Sequence, residues 1–480
     1  MTSRMKDVLL ALDRFAQKHR LLLSAVLAAL LSGLLALYNV SSGPLGNLND
    51  IGGWANRALF IAMSAAVHGG MLLLCAWLSR VSFARTALRQ VILTAGMVIL
   101  LLAINQKTYA YVNVMQPVIR AMDEGGLAAG AAAASGVSAP MLLLLYVITR
   151  GPVYDMYLLK LFAIGCDLLL GILAMRAADR NRLGLRAETL LALCMILPQG
   201  FMNAACSALP EIAAVTLLAF SLTLALGCDR PKRLASGICY GAACALSGAA
   251  LYALPVYLLL VRRGGMKRRD LLAGACAALL LCVPAIACGM SALSALGSLL
   301  AANLGLPAYA AGAPGLASLI PRAAVEETPQ YAPLLRHLAS LDTQTYAQEF
   351  YTQAHFEIVM RGLALTGLAL YLGVCALVWR AKDKTPLHRA MLLALGALIV
   401  CPNVTSAAWL LLDVLCLYAI LAEPRLRLPA CLVLFATMTS SSYPMTEEVM
   451  LPMVVAFALC LVALCMLLDV IPTGKEETHD

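Results

Sequence analysis

Apolar runs follow one another along this chain, and most of its basic residues stand in short clusters between them. The first run, Leu21–Tyr38, is long enough to cross a bilayer with slight thinning. Others lie near residues 57–79, 87–104, 154–175, 188–201, 208–227, 234–246, 247–261, 270–290, 357–379, 388–401, 404–421, 428–440 and 448–470. Several of these roughly fourteen runs are too short to cross alone, and the pairs around Ser247 and Pro402 read as broken or re-entrant helices buried in protein. With 62% hydrophobic and 13% charged residues over 480, and a mean hydropathy of +0.85, a soluble fold is excluded. The expected fold is an all-α polytopic bundle of about 12–14 transmembrane or re-entrant helices, one membrane domain over residues 1–480.

The positions of the charges predict the orientation. The opening MTSRMKDVLLALDRFAQKHR is a basic amphipathic segment feeding the first span, and Arg4, Lys6, Arg14, Lys18 and Arg20 put the N-terminus in the cytoplasm. Following the runs from there brings the clusters at 80–89, 176–186, 230–233, 262–269, 380–389 and 425–427, and the C-terminal Lys475, to the same side. Together with the five N-terminal residues these make up 27 of the 35 Lys and Arg residues. The formal net charge of +9 therefore reflects topology and contact with anionic membrane lipids, not nucleic acid. The sixteen cysteines lie mostly inside apolar runs with no CxxC pair, and read as small packed hydrophobes rather than metal ligands or a disulfide framework.

The same ratchet leaves residues 41–56, 105–151 and 291–356 as non-cytoplasmic loops carrying surface helices, together with the turn at Asn203–Glu211. The first loop places Asp50 before Trp54 and Arg57: a carboxylate that could act as a base beside an indole, with a cation for a lipid phosphate. The same Asp50 also reads as a helix N-cap, and Trp54 as an interfacial aromatic. Arg150, Tyr154, Asp155 and Tyr157 crowd the entrance to the next span, on which Lys160 and Asp167 lie seven residues apart. Charges inside a span face the bundle, so each is expected to find a partner on another helix or in a polar cavity. Glu211, in the turn of the hairpin Glu188–Cys228, stands where an apolar helix begins. It is either a site carboxylate or a first-turn cap, and Asn203 shares its turn. The last loop supplies Arg322 and Arg336, with a surface helix expected over Tyr331–Asp342.

In their order these features resemble the bacterial GT-C-type membrane glycosyltransferases related to the GPI mannosyltransferase II proteins. Met156–Ala174 is similar to the family's segment with a Lys followed seven residues later by an Asp, here Lys160 and Asp167. In the hairpin, Pro198 and Asn203 are kept. Ala204, Ser207, Ala208, Leu209 and Glu211 replace the Ser, Trp, Gly, Gln and Asp of the family's Asn-Ser and Trp-Gly-Gln-x-Asp motifs. Ser247 stands for a Lys before a helix that keeps its proline, Pro255. Ala313 and Pro314 are retained from an Asn-Ala-Pro-Asn segment. Pro402 and Asp413 are retained around a His-Glu-Arg-Tyr motif whose positions hold Thr405, Ser406, Ala407 and Ala408.

The resemblance implies a protein of the bacterial plasma membrane with both termini cytoplasmic. It would be an inverting transferase using a polyprenyl-phosphate sugar donor and a glycan or lipid acceptor on the outer side. Asp50 and Glu211 would be its catalytic carboxylates, with a divalent cation as a possible cofactor. Trp54, Arg57, Arg150, Tyr154, Asp155, Asn203, Arg322 and Arg336 would bind substrate. The loss of the family's cationic and acidic groups keeps a second class open, a non-catalytic GT-C-like protein that binds a lipid-linked glycan or partners another membrane protein. Coupled transport stands third, since the sequence shows no dense intramembrane charge.

Overall fold

A backbone in lipid must satisfy its own N–H and C=O groups, and every regular element among the described residues is a helix. The computed structural model describes residues 14–41, 43–47, 53–108, 111–134, 137–151, 153–225, 231–304, 314–315, 353–380, 384–400, 406–441 and 450–470. In chain order the helices are α1 (Arg20–Ser41), α2 (Trp54–Leu78), α3 (Phe83–Leu102), α4 (Gln116–Ala133), α5 (Ala139–Thr149), α6 (Asp155–Arg180) and α7 (Arg186–Met195). They continue with α8 (Ile212–Ala225), α9 (Pro231–Leu246), α10 (Leu254–Arg262), α11 (Arg268–Leu280) and α12 (Ala292–Leu304). The last five are α13 (Gln353–Arg380), α14 (Pro386–Val400), α15 (Ser406–Ala422), α16 (Arg427–Ser441) and α17 (Met450–Leu467).

Among the described residues, six stretches are long and apolar enough to cross a membrane: α1, α2, α3, α6, Arg186–Cys206 and Arg268–Ala287. Apolar helices of 10–17 residues, among them α5, α8, α14 and α15, correspond to shorter runs. Helix α1 identifies the solvent. Its buried stripe is Ser24, Ala28, Ser32, Leu35 and Asn39, whereas Leu22, Leu30, Leu34 and Leu37 are between 60% and 66% exposed. A helix in water would show the reverse, so the exposed leucines belong in lipid and the chain is an all-α polytopic membrane protein.

Contacts divide the chain into two compact units, Met1–Lys107 with Ile148–Ala208, and Thr108–Val147 with Leu209–Asp480. In the first unit, α1, α2 and α3 are joined by polar side chains. Gln90 Nε2 donates to Ser24 O at 3.0 Å and Leu72 O at 3.3 Å. His68 Nε2 lies 3.1 Å from Thr94 Oγ1, whose own proton goes to Gln90 O, so Nε2–H must be the donor there. The neutral ring then accepts at Nδ1 from Ser32 Oγ, 3.1 Å away.

One end of this unit is closed by charge. Arg89, fully buried, donates to Glu188 at 2.8 Å, to both Asp179 oxygens at 2.7 Å and to Ser79 Oγ at 2.9 Å. Arg85 grips Glu188 from outside at 2.8 and 2.9 Å and donates to Gly184 O. The sequence reading grouped Arg85 and Arg89 with the topological charges, but here they form an interior network tying α3 to α6 and α7.

The second unit is packed by small residues and apolar bulk. Any side chain added at Gly237 or Gly241 of α9 would run into the Asp270 and Gly274 carbonyls of α11, so the two backbones touch. Ser221 of α8 and Ser236 of α9 each donate to the other's carbonyl, at 2.7 and 2.9 Å. Helix α9 stops at Leu246, Ser247 is extended, and a 3₁₀ turn over Gly248–Ala253 leads into α10. Helices α13 to α17 share a core that includes Tyr371, Leu395, Trp409, Leu412, Val433 and Cys460. Of the proposed surface segments, residues 105–151 hold a π turn at Tyr111–Met115, then α4 and α5. The expected helix over Tyr331–Asp342 lies outside the described residues.

Candidate functional site

The first unit's interior chemistry lies on α6 and on the broken stretch facing it. Lys160 and Asp167 are both buried, as expected of charges inside a span, but their fates differ. Lys160 Nζ donates to Ala103 O and Ile104 O, each at 3.0 Å, and to Gln106 O. These carbonyls follow the C-terminus of α3, where acceptors and the negative end of the helix dipole collect, so the ammonium acts as a cap. Asp167 finds no such match. Its Oδ2 is buried with no hydrogen-bond partner.

What Asp167 faces is an interruption. After α7, Leu197 is extended (φ −61°, ψ 124°), and Pro198 has no N–H to continue the ladder. One turn, Pro198–Gly200, runs into a π turn over Phe201–Cys206. A Cβ on Gly200 would lie 2.9 and 3.0 Å from the two Asp167 carboxylate oxygens, so only glycine lets the carboxylate approach so closely. Beside it, Asn203 Nδ2 donates to Gln199 Oε1 at 2.9 Å, and both amides are buried. Ala208, at the end of the unit, sits in the left-handed region with φ 55°, unusual for a residue with a side chain.

The end of the first unit away from the Arg89 network gathers five of the expected substrate-binding residues. Helix α2 begins with Trp54, which is 83% exposed, and Arg57, while α6 begins after Arg150 and Tyr154 with Asp155. The two helix starts are joined through Phe60 and Tyr157, whose ring centroids lie 5.6 Å apart, with Tyr154 edge-on to Tyr157 at the same distance. Tyr157 Oη donates to Asn105 Oδ1 at 3.3 Å. Asn39, at the end of α1, is buried, and neither its Oδ1 nor its Nδ2 has a hydrogen-bond partner.

The other expected residues are distributed differently. Asp50, Arg322 and Arg336 lie outside the described residues. Asn203 is in the first unit, on the π turn, and is engaged with Gln199. Glu211 belongs to the second unit, just before α8, and its Oε2 is buried without a hydrogen-bond partner. A further interior carboxylate there, Asp413 on α15, accepts from Thr437 Oγ1 at 2.9 Å, while its Oδ2 has no partner. Sequence reasoning did not single out Asn39, Gln199 or Gly200. Asn39 was signalled by its place on the stripe Ser24, Ala28, Ser32, Leu35, whereas Gln199 and Gly200 carry no periodic signal because the helix breaks there.

Among the described residues, no three His, Cys, Asp or Glu side chains come together as a metal-binding group. No family model matches the chain, and no curated protein matches its sequence.

Proposed function

We propose that this chain is a GT-C-like glycosyltransferase of the bacterial plasma membrane, with 12–14 crossing or re-entrant helices and both termini in the cytoplasm. It would take a polyprenyl-phosphate-linked sugar at the outer face. The observation that carries the reading is that the starts of α2 and α6, which bring the exposed Trp54 indole, Arg57, Tyr154 and Asp155, are joined through the buried Phe60–Tyr157 contact at one end of a lipid-facing helical unit. Aromatic faces, hydrogen-bonding groups and a cation together suit a sugar attached to a phosphate and a lipid tail. The arginine network closes the opposite end of that unit, and basic residues concentrate on the cytoplasmic side.

In the transfer, Asp50 takes the proton of the acceptor hydroxyl. The acceptor oxygen bonds to the anomeric carbon, and the polyprenyl phosphate leaves with the electron pair of the broken C–O bond. Arg57 and Arg150 meet the charge that develops on the phosphate. A second reading, a non-catalytic protein that binds the same lipid-linked glycan, is favoured by one observation. Lys160, the cation in the interior of α6, spends its donors on three backbone carbonyls and has none left for a departing phosphate.

Purified protein in lipid, given a panel of polyprenyl-phosphate sugars, separates these outcomes. Binding should weaken about tenfold or more in Trp54→Ala and Arg57→Ala with thermal stability unchanged. Transfer should be lost in Asp50→Asn while binding is kept. Binding without transfer in the wild type replaces the enzyme with the non-catalytic reading, and unaltered binding in both rim variants overturns the site.

A further inference from the structure

The first unit holds a carboxylate that the proposed transfer does not use. Asp167 lies in the middle of α6, 3% exposed, with one oxygen lacking any hydrogen-bond partner. A bare carboxylate in an apolar interior is costly and is kept only when something neutralises it. The nearest cation on its own helix, Lys160, is two turns away, about 10.5 Å along the axis, and is committed to the carbonyls after α3. The Arg89 guanidinium is likewise committed, to Glu188 and Asp179.

The carboxylate faces a stretch of irregular backbone that carries two buried side-chain amides. Gly200 brings the opposing backbone against both carboxylate oxygens, and Gln199 and Asn203, one residue before it and three after, present buried amides on the same broken stretch. A carboxylate, side-chain amides and an irregular backbone within a spanning segment form the kind of site in which oxygen atoms replace the water shell of a hard cation. A break that includes a π turn is also where helices commonly carry function.

We propose that Asp167, together with the amide oxygens of Gln199 and Asn203, forms an interior site for a monovalent alkali cation. A single positive charge balances the single carboxylate. A divalent ion would leave a net charge in the interior, and among the described residues no cluster of carboxylates, histidines or cysteines stands ready to balance it. The site does not depend on the sugar donor and would stabilise the chain whether or not it transfers a glycan.

The test is thermal unfolding of the full-length protein in lipid nanodiscs at neutral pH, with Na+, K+ or Li+ titrated against choline at constant ionic strength. One of the three alkali ions should raise the midpoint in a saturable manner that choline does not reproduce. Asp167→Asn should abolish the response, and Asn203→Ala should raise the half-saturating concentration about tenfold. If Asp167→Asn does not fold, the Asn203→Ala shift alone decides. A wild-type midpoint indifferent to all three ions, or an ion response unchanged in the variants, overturns the proposal. Stabilisation by acid in place of the ions, lost in Asp167→Asn, overturns it in favour of a proton on that carboxyl.

Discussion

The two units solve the problem of a membrane interior in different ways. The first buries Ser24, Ser32, Asn39, His68, Arg89, Gln90, Lys160, Asp167 and Glu188, and its helices meet through hydrogen bonds and ion pairs. The second meets through bare backbone at Gly237, Gly241 and Gly274, through the paired Ser221 and Ser236 hydroxyls, and through an apolar cluster beside which Asp413 accepts from Thr437. Lipid is as apolar as leucine, so burying a leucine inside gains little, and helices must associate through polar bonds or close packing. Polar bonds are specific in partner and direction. They also leave buried groups, such as Asp167 Oδ2 and the Asn39 amide, without a hydrogen-bond partner.

The sharpest way to break this contrast is at Arg89. Replacing it with Leu leaves Glu188 and Asp179 without their buried partner, and should cost about 3–5 kcal/mol of stability. The loss is read as a fall in the denaturation midpoint in mixed micelles, and a change below about 1 kcal/mol would mean that charge does not hold the first unit.

Next in size is Gly241→Ala, whose new methyl would meet the Gly274 carbonyl of α11. It should destabilise by about 1–3 kcal/mol. Gly33→Ala on α1 is the control, since nothing lies within 4 Å of the added methyl, and it should be neutral or stabilising by up to about 1 kcal/mol. Equal behaviour of the two would remove backbone contact as the device of the second unit.

The smallest effect is expected at Thr437→Val, which removes the hydrogen bond to Asp413 and should cost about 1 kcal/mol in the same assay. A cost as large as that at Arg89 would show that the second unit also depends on a polar centre, and would narrow the difference between the two.

Local composition carried much of the outcome. The apolar runs and the spacing of charges establish a helical membrane protein from the sequence, because a spanning segment must satisfy its own backbone whatever its neighbours are. The burial of Lys160 and Asp167 was legible for a similar reason, since a charge within an apolar run has nowhere to go but inward. The break at Pro198 was missed, since the expected run 188–201 passes through that proline, although its ring removes a backbone donor there. What the sequence could not decide was partnership. Arg89 reaches residues 90 and 99 positions away, and Lys160 reaches carbonyls more than 50 positions away. Those matches depend on which helix faces which, and periodicity within one helix does not encode that. The tertiary structure alone decided that one interior charge of α6 is satisfied by a helix end while the other, seven residues on, meets a broken helix and keeps an oxygen free of any protein partner. At an interruption the 3.6-residue period is lost, so no pattern in the sequence could announce that Gly200 and its neighbouring amides stand opposite Asp167.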